Sequence, residues 1–331
     1  MANRILNTIL PFVFAAGAAT MATAQDVVNY QLDWLPGGDK SPIYICIEES
    51  FCADAGLQVN IVPGRGSTEA ITKIATGTSD IGSADIGALM AAAAAEDVPA
   101  TAVMSIFNTG PHAFYTLAGN GIESFTDIEG KSVATSPFTS SNVYLPLVLA
   151  DNGLTKDAIE LTNADPGALG PLLMTGRTDA IIAWLTNVSI FEAQAAEAGK
   201  DLIILPWSDA GLELYSAALV ANDTFLADRP DVARRFVAAF TKSLEFANAN
   251  PAAAGAAVAA IVPELDAAMI EAAWMDSSVL AFNEVTESYP LGTFDADRLA
   301  KTWARVAAAQ DLDPTALDPE TVVDRSFAAT E

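Results

Sequence analysis

Histidine, cysteine and positive charge are nearly missing from this 331-residue chain, which holds one His, two Cys and 16 Lys and Arg together. The lone His112 leaves no histidine cluster for a metal and only one candidate histidine base. No G-x-S-x-G elbow accompanies it, so nucleophilic catalysis is disfavoured. The two cysteines have no histidine or acidic cluster beside them, which argues against a zinc site. Against the 16 basic residues stand 42 acidic ones, a net charge of −26. Nucleic acid is thereby a poor partner, because phosphate binding needs a basic footprint. Adhesion to an anionic membrane surface is discouraged on the same ground. The acidity itself reads as a solvated surface and says little about a ligand. Long apolar runs are also scarce. Beyond the N-terminus, residues 252–262 are apolar but short, and Pro251 and Pro263 bracket them.

What is present begins with an address. Arg4 is the one charge in residues 1–24, an apolar run follows it, and Ala22-Thr23-Ala24 makes an A-x-A cleavage signal. The expectation is a cleavable signal peptide and a periplasmic mature chain starting near Gln25. That mature chain is long enough for two domains with real cores.

A pattern then occurs twice, about a hundred residues apart. The first copy runs from Gly56-Leu57 through an apolar strand and a helix to Gly77-Thr78-Ser79-Asp80. The second runs from Gly153-Leu154 to Gly176-Arg177-Thr178-Asp179. Two similar α/β units predict two facing lobes with a cleft between them. Alternating strands and helices support an α/β class throughout. Strands are expected at 27–32, 57–62, 81–83, 101–107, 113–118, 131–134, 180–184, 202–205 and 215–220. Those at 180–184 and 202–205 are expected to complete a parallel core in the second lobe. Pro230 opens a long helix with Val232, Phe236, Phe240, Leu244 and Ala247 on one stripe. The alanine-rich remainder most simply buttresses the first lobe. The first lobe is thus expected over 25–112 and again over 216–331, with the second lobe at 113–215. The chain crosses between them near 108–113 and 212–217, a two-crossing hinge.

In open α/β sheets, ligands meet the loops beyond the carboxyl ends of strands. Here those are 33–42, 63–67, 83–87, 107–112, 135–142 and 184–189. Trp34 and Trp184 each sit just past a strand end in opposite lobes, and with Tyr44, Phe138 and Tyr215 they could sandwich a flat ligand. Tyr44 and Tyr215 serve core packing equally well. Asp33, Asp85 and Glu213 are candidate acceptors for ring nitrogens or an amine, although Asp85 also reads as a helix cap. Asn108 lies in the first crossing. Thr139 and Ser140, before Ser141 and Asn142, offer hydroxyls and backbone N–H groups at a helix start, and Ser67 does so in the first lobe. Lys40, Arg65 and His112 are the cations of these loops, and each reads equally as solvent-facing. Cys46 and Cys52 are either a disulfide, if the helix between them breaks near Ser50, or two small buried thiols. Gly64-Arg65-Gly66 lacks the third glycine of a dinucleotide loop, and Gly130-Lys131-Ser132 lacks the first glycine of a phosphate loop. No cofactor or metal is therefore expected.

The opening Leu32-Asp33-Trp34-x-Pro36, with Tyr44, Phe51 and Gly56-Leu57, resembles periplasmic substrate-binding proteins of the NMT1/THI5-like and SsuA-like group. The resemblance continues through both G-x-x-D turns and Asp127-Ile128-Glu129-Gly130-Lys131. It reaches Pro230-Asp231-x-x-Arg234-Arg235-Phe236 and Asn250-Pro251-x-x-Ala254. It implies the two-lobed type II periplasmic binding fold, closing on a small solute and delivering it, as a monomer, to an ABC permease. Two departures stand out. Ser50 occupies a position where the family often has Gly. Gly37-Gly38-Asp39-Lys40 replaces the Asn-x-x-His frequent after the DW-x-P motif. The favoured solute is a neutral or partly cationic heterocycle such as a pyrimidine related to thiamine precursors. Alternatives are an aliphatic sulfonate, nitrate or another small organic anion. The eukaryotic THI5-like relatives make a pyrimidine enzymatically, a role that the export signal argues against here.

Overall fold

The computed structural model describes residues 25–212 and 214–328. The expected export segment and the candidate Glu213 lie outside the described residues. The first lobe begins with β1 (Asp26–Gln31), α1 (Ser41–Glu48), α2 (Phe51–Asp54) and β2 (Leu57–Val62). It continues with α3 (Ser67–Ala75), β3 (Ile81–Asp85), α4 (Ile86–Ala95) and β4 (Ala100–Ser105). The second lobe contains β5 (His112–Leu117), β6 (Ser132–Thr135), α5 (Ser141–Asp151) and β7 (Glu160–Asn163). After these come α6 (Leu169–Met174), β8 (Ala180–Trp184), α7 (Val188–Glu197) and β9 (Leu202–Pro206). The chain returns through β10 (Ala217–Asn222) and α8 (Asp223–Asp228) to α9 (Pro230–Ala249), α10 (Pro251–Ile261) and α11 (Ala267–Ser278). It finishes with α12 (Glu284–Ser288) and α13 (Ala296–Ala309).

The repeated G-x-x-D turn has one structural job in both lobes. Gly77 (φ 72°) and Gly176 (φ 69°) end α3 and α6 in the left-handed conformation that glycine alone adopts cheaply. Three residues later the carboxylate of Asp80 accepts from the backbone N–H of Asn29 in β1 at 2.7 Å. Asp179 accepts from Ser132 N–H in β6 at 2.9 Å. Each aspartate thus pins its incoming strand to the neighbouring one, which is why the motif recurs.

The sheets repeat as well. Their strand orders are β2-β1-β3-β10-β4 and β7-β6-β8-β5-β9. In each, four mutually parallel strands are joined by one antiparallel strand arriving from the other lobe. β10 runs antiparallel between β3 and β4, and β5 runs antiparallel between β8 and β9. The expected parallel core of the second lobe is corrected here, since β5 separates β8 from β9. β3, β5, β8 and β10 are buried along their whole length, as helix-covered strands must be. β7 is an edge and is exposed at all four positions.

The α9 stripe packs as its spacing predicts. Phe236 and Phe240 are buried and lie 5.7 Å and 6.1 Å from the Tyr30 ring of β1. Each such burial contributes about 1.5–3 kcal/mol. Cys46 and Cys52 are joined in a disulfide with Cα atoms 5.1 Å apart. The helix break that this requires is Ser50, held at φ 61° between α1 and α2.

The C-terminal helices do more than buttress one lobe. Asp276 of α11 accepts from the backbone N–H and hydroxyl of Ser189 in α7, at 2.8 Å and 2.6 Å. Gln310, just past α13, donates to Val143 O of α5 at 2.6 Å. Beside packing on the first lobe, α11 and the end of α13 thus reach the second.

Candidate functional site

The facing edges of the two lobes are in contact. Thr68 donates its backbone N–H and its hydroxyl to Phe138 O, at 3.1 Å and 3.0 Å, and Ser136 donates to Arg65 O at 2.7 Å. This lip closes one side of a narrow cleft whose cavity volume is about 10 Å³, room for roughly one water. Asp33, Trp34, Asp39, Gly66 and Ser67 line it from the first lobe, and Thr139, Ala183, Trp184, Thr186 and Asn187 from the second. The two tryptophans exchange sides. Trp34 packs against the apolar cluster of the second lobe, while Trp184 joins the core of the first, 6.5 Å from Phe107.

A charged cluster forms the first-lobe wall. Lys40 is 4% exposed and makes ion pairs with both Asp33 and Asp39, the latter at 2.7 Å. Ser83 donates to Asp33 at 2.7 Å, and Ser67 lies 3.4 Å from the other carboxylate oxygen. Burial pushes the Asp39 carboxyl up, with the Lys40 charge opposing it. Burial also works to lower the Lys40 ammonium, but the charges of Asp33 and Asp39 outweigh it and hold the amine firmly protonated. Its Nζ stands 5.5 Å from the centre of the Trp184 ring. The loop carrying Lys40 is pressed onto α11. A Cβ on Gly38 would lie 2.3 Å from Trp274 N, so only glycine permits this approach.

Of the candidates named from the sequence, Asp33, Trp34, Ser67, Thr139 and Trp184 meet in this cleft. Phe138 contributes at the lip, through its carbonyl and through its ring under the Arg65 guanidinium at 4.7 Å. The remaining described candidates lie outside this lining. Tyr44 is 1% exposed within the first-lobe core. Ser140 is fully buried behind the cleft, and its hydroxyl has no partner. Asn108 is a hinge strut, donating to Ala281 O and accepting from Asn283 at 2.6 Å, while its backbone carbonyl accepts from Arg298. Tyr215 packs on Phe294 and accepts from Asp295 N–H at 2.8 Å.

Asp85 also leaves the cleft, for a specific reason. It caps α4 by accepting from Gly87 and Ala88 N–H. It also accepts from Ser216 in the second crossing at 2.6 Å and from Tyr144 of the second lobe at 3.2 Å. Burial lifts its carboxyl to about 6, against the pull of those donors. His112 is 1% exposed, its Nδ1 2.9 Å from Ser141 Oγ and its Nε2 3.7 Å from Asp85. Burial depresses the imidazole to about 3, so it is neutral. Neither His112 nor Lys40 faces solvent, while Arg65 does so partly and pairs with Glu69 at 2.8 Å.

Sequence reasoning placed Asp39, Gly66, Thr186 and Asn187 in site loops without singling them out. The signal for Asp39 was available: adjacent opposite charges in a glycine-rich loop where the family motif differs. Among the described residues no cluster of three or more His, Cys, Asp or Glu could hold a metal.

Two lobes, two antiparallel crossing strands and a cleft between strand ends define the class as the type II periplasmic binding fold. The chain belongs to the NMT1/THI5-like family, whose model matches residues 38–254. It is 24% identical over 254 residues to the formylaminopyrimidine-binding protein of Halalkalibacterium halodurans, covering 75% of this chain and 76% of that one. It is also 24% identical over 246 residues to the 4-amino-5-hydroxymethyl-2-methylpyrimidine phosphate synthase of Aspergillus parasiticus, covering 69% of each. Among solved structures, the alkanesulfonate-binding protein SsuA of Xanthomonas axonopodis pv. citri, bound to MOPS, superposes with a TM-score of 0.69 at 16% identity. That match covers 91% of this chain and 98% of the other.

Proposed function

We propose that this chain is the solute-binding component of an ABC importer. It captures a small flat nitrogen heterocycle of the pyrimidine type in the periplasm and hands it to a membrane permease. The observation that carries this reading is the make-up of the cleft, with Trp34 and Trp184 for walls and a buried Asp33–Lys40–Asp39 cluster at one side. Indole faces suit an aromatic ring, adding about 0.5–1.5 kcal/mol per stacked pair beyond burial. Carboxylate oxygens suit amino groups and ring N–H donors. The formylaminopyrimidine-binding relative agrees with that chemistry.

Hinge closure is the mechanism. Solute settles against one lobe, the second lobe completes its contacts, and the lip hydrogen bonds favour the closed form. The closed form is what the permease reads. An anionic solute would draw on the Ser67 and Thr139 hydroxyls of the lining. Against it, the buried cation of the cleft is already held by two carboxylates. Catalysis is disfavoured because the lone histidine is neutral, buried and outside the cleft lining.

The test is thermal unfolding of the mature protein with formylaminopyrimidine, 4-amino-5-hydroxymethyl-2-methylpyrimidine, alkanesulfonates and nitrate. A bound solute at 100 times its Kd adds about 2.7 kcal/mol. A melting shift with the pyrimidines and none with the sulfonates is expected. The reverse pattern would replace this reading with the anion one.

A further inference from the structure

The charged wall of the cleft carries more charge than it balances. Asp33 and Asp39 contribute two acids and Lys40 one ammonium, with Lys40 in contact with each and all three nearly sealed from water. With both acids ionised the sum is one uncompensated negative charge, which Lys40 helps to hold against the burial that pushes the Asp39 carboxyl up. It is not spread evenly. Oδ1 of Asp33 takes both Lys40 and Ser83, whereas Oδ2 has only Ser67 at 3.4 Å, a long and weak contact. A second, independent observation marks the opposite wall. Trp184 is 9% exposed, and its indole N–H is buried without an acceptor. Buried donors of this kind are ordinarily paired, and Trp184 lines the cleft, so a solute acceptor within reach would satisfy it.

We propose that Lys40 acts as a built-in counter-cation that sets the charge of the solute. Its single charge leaves the cleft selective for a heterocycle bearing one positive charge on the edge facing Asp33 and Asp39, with an oxygen or nitrogen acceptor for Trp184. This rests on the reading of the cleft as the solute site and goes further, from a ring shape to a formal charge. The residues responsible are those of the Gly37-Gly38-Asp39-Lys40 loop. Gly38 lets that loop press against α11, and the pressed loop buries Lys40 between its two partners. With an uncharged residue in its place, the cleft would carry two negative charges and favour a cation more strongly. Without Asp39 it would carry none.

The experiment is calorimetric titration of 4-amino-2-methylpyrimidine and its N1-methylated, permanently cationic form, above the pH at which the parent ring protonates. Wild type, D39N, K40M and the double variant D39N/K40M are compared through the cation-to-neutral ratio of Kd, which cancels ligand shape and general damage to the site. Wild type is expected to favour the cation by ~10-fold or more, D39N to lose that preference, and K40M to increase it. K40M strands two buried carboxylates and is the variant at risk of unfolding. The double variant keeps the net charge of the wild type without the ion pair, so its ratio is expected to return to the wild-type value. A ratio that stays within ~3-fold across wild type, D39N and D39N/K40M overturns the charge rule and leaves the cleft assignment standing. Wild-type protein that binds neither ring overturns both.

Discussion

Closure has a steric gatekeeper that can be blocked with one methyl group. A Cβ built on Gly66 would stand 2.0 Å from Phe138 O, 2.1 Å from Phe138 C and 2.5 Å from Thr139 N. All three atoms belong to the opposite lobe and are backbone, so no side-chain rotation relieves the contact. Reaching an ordinary 3.4 Å separation requires the lip to open by about 1.4 Å. The three lip hydrogen bonds, two from Thr68 to Phe138 O and one from Ser136 to Arg65 O, then lengthen beyond use. At about 0.5–1.5 kcal/mol each, their loss costs roughly 1.5–4.5 kcal/mol of closed-state stability. Gly66→Ala is therefore expected to raise Kd by about 10- to 1000-fold. The clash lies between the lobes, and the local cost of a side chain at the Gly66 φ of 158° is read separately from the Tm without solute. Calorimetry with 4-amino-5-hydroxymethyl-2-methylpyrimidine measures the affinity, and small-angle scattering measures the compaction that should accompany binding to wild type. A Gly66→Ala protein that binds within about threefold of wild type and compacts normally would refute closure through this lip.

Trp34→Ala removes one aromatic wall from a partly exposed position, and binding of the same pyrimidine is expected to weaken by about tenfold with little change in Tm; unchanged affinity in calorimetry would remove Trp34 from the site. Ser50→Gly replaces the residue that pays for a left-handed turn at φ 61° and should stabilise the oxidised protein by about 1 kcal/mol in urea unfolding; a loss of stability would place the cost elsewhere. The Asp85–His112 pair predicts opposed pH slopes between pH 4 and pH 6. Asp85, at about 6 when folded, binds a proton that the unfolded chain has lost, so its contribution declines as pH rises. His112, at about 3 when folded, refuses a proton that the unfolded chain accepts, so its contribution declines as pH falls. Asp85→Asn should therefore make the unfolding free energy climb more steeply with pH than in wild type, and His112→Gln should do the opposite. Each change is up to about 1.4 kcal/mol per pH unit, and denaturant titrations at three pH values in that window read the sign.

Asp33 and Asp85 show where the sequence stops being legible. Both lie at the carboxyl end of a first-lobe strand, both are buried, and both are surrounded by hydroxyls. From the first lobe alone they are equivalent candidates for holding a solute. What separates them is the surface that the second lobe brings opposite. Asp33 meets the cleft and Trp184, whereas Asp85 meets Tyr144 and His112 and is used up as a strut between lobes. That difference is long-range and leaves no local mark on the chain. Trp34 and Tyr44 divide the same way, since Trp34 lies in the loop after β1 and lines the gap while Tyr44 lies on α1 and faces the first-lobe core. Features whose cause is local were readable: the paired G-x-x-D turns, the α9 stripe, the helix break at Ser50 and the two crossings. The insertion of β5 between β8 and β9 was not, because strand partners are chosen by the whole sheet. Lys40 is the sharpest case. Its charge reads as a solvated surface group until the glycine beside it is seen to bury it. The same residue then becomes the one that decides how much negative charge a solute meets.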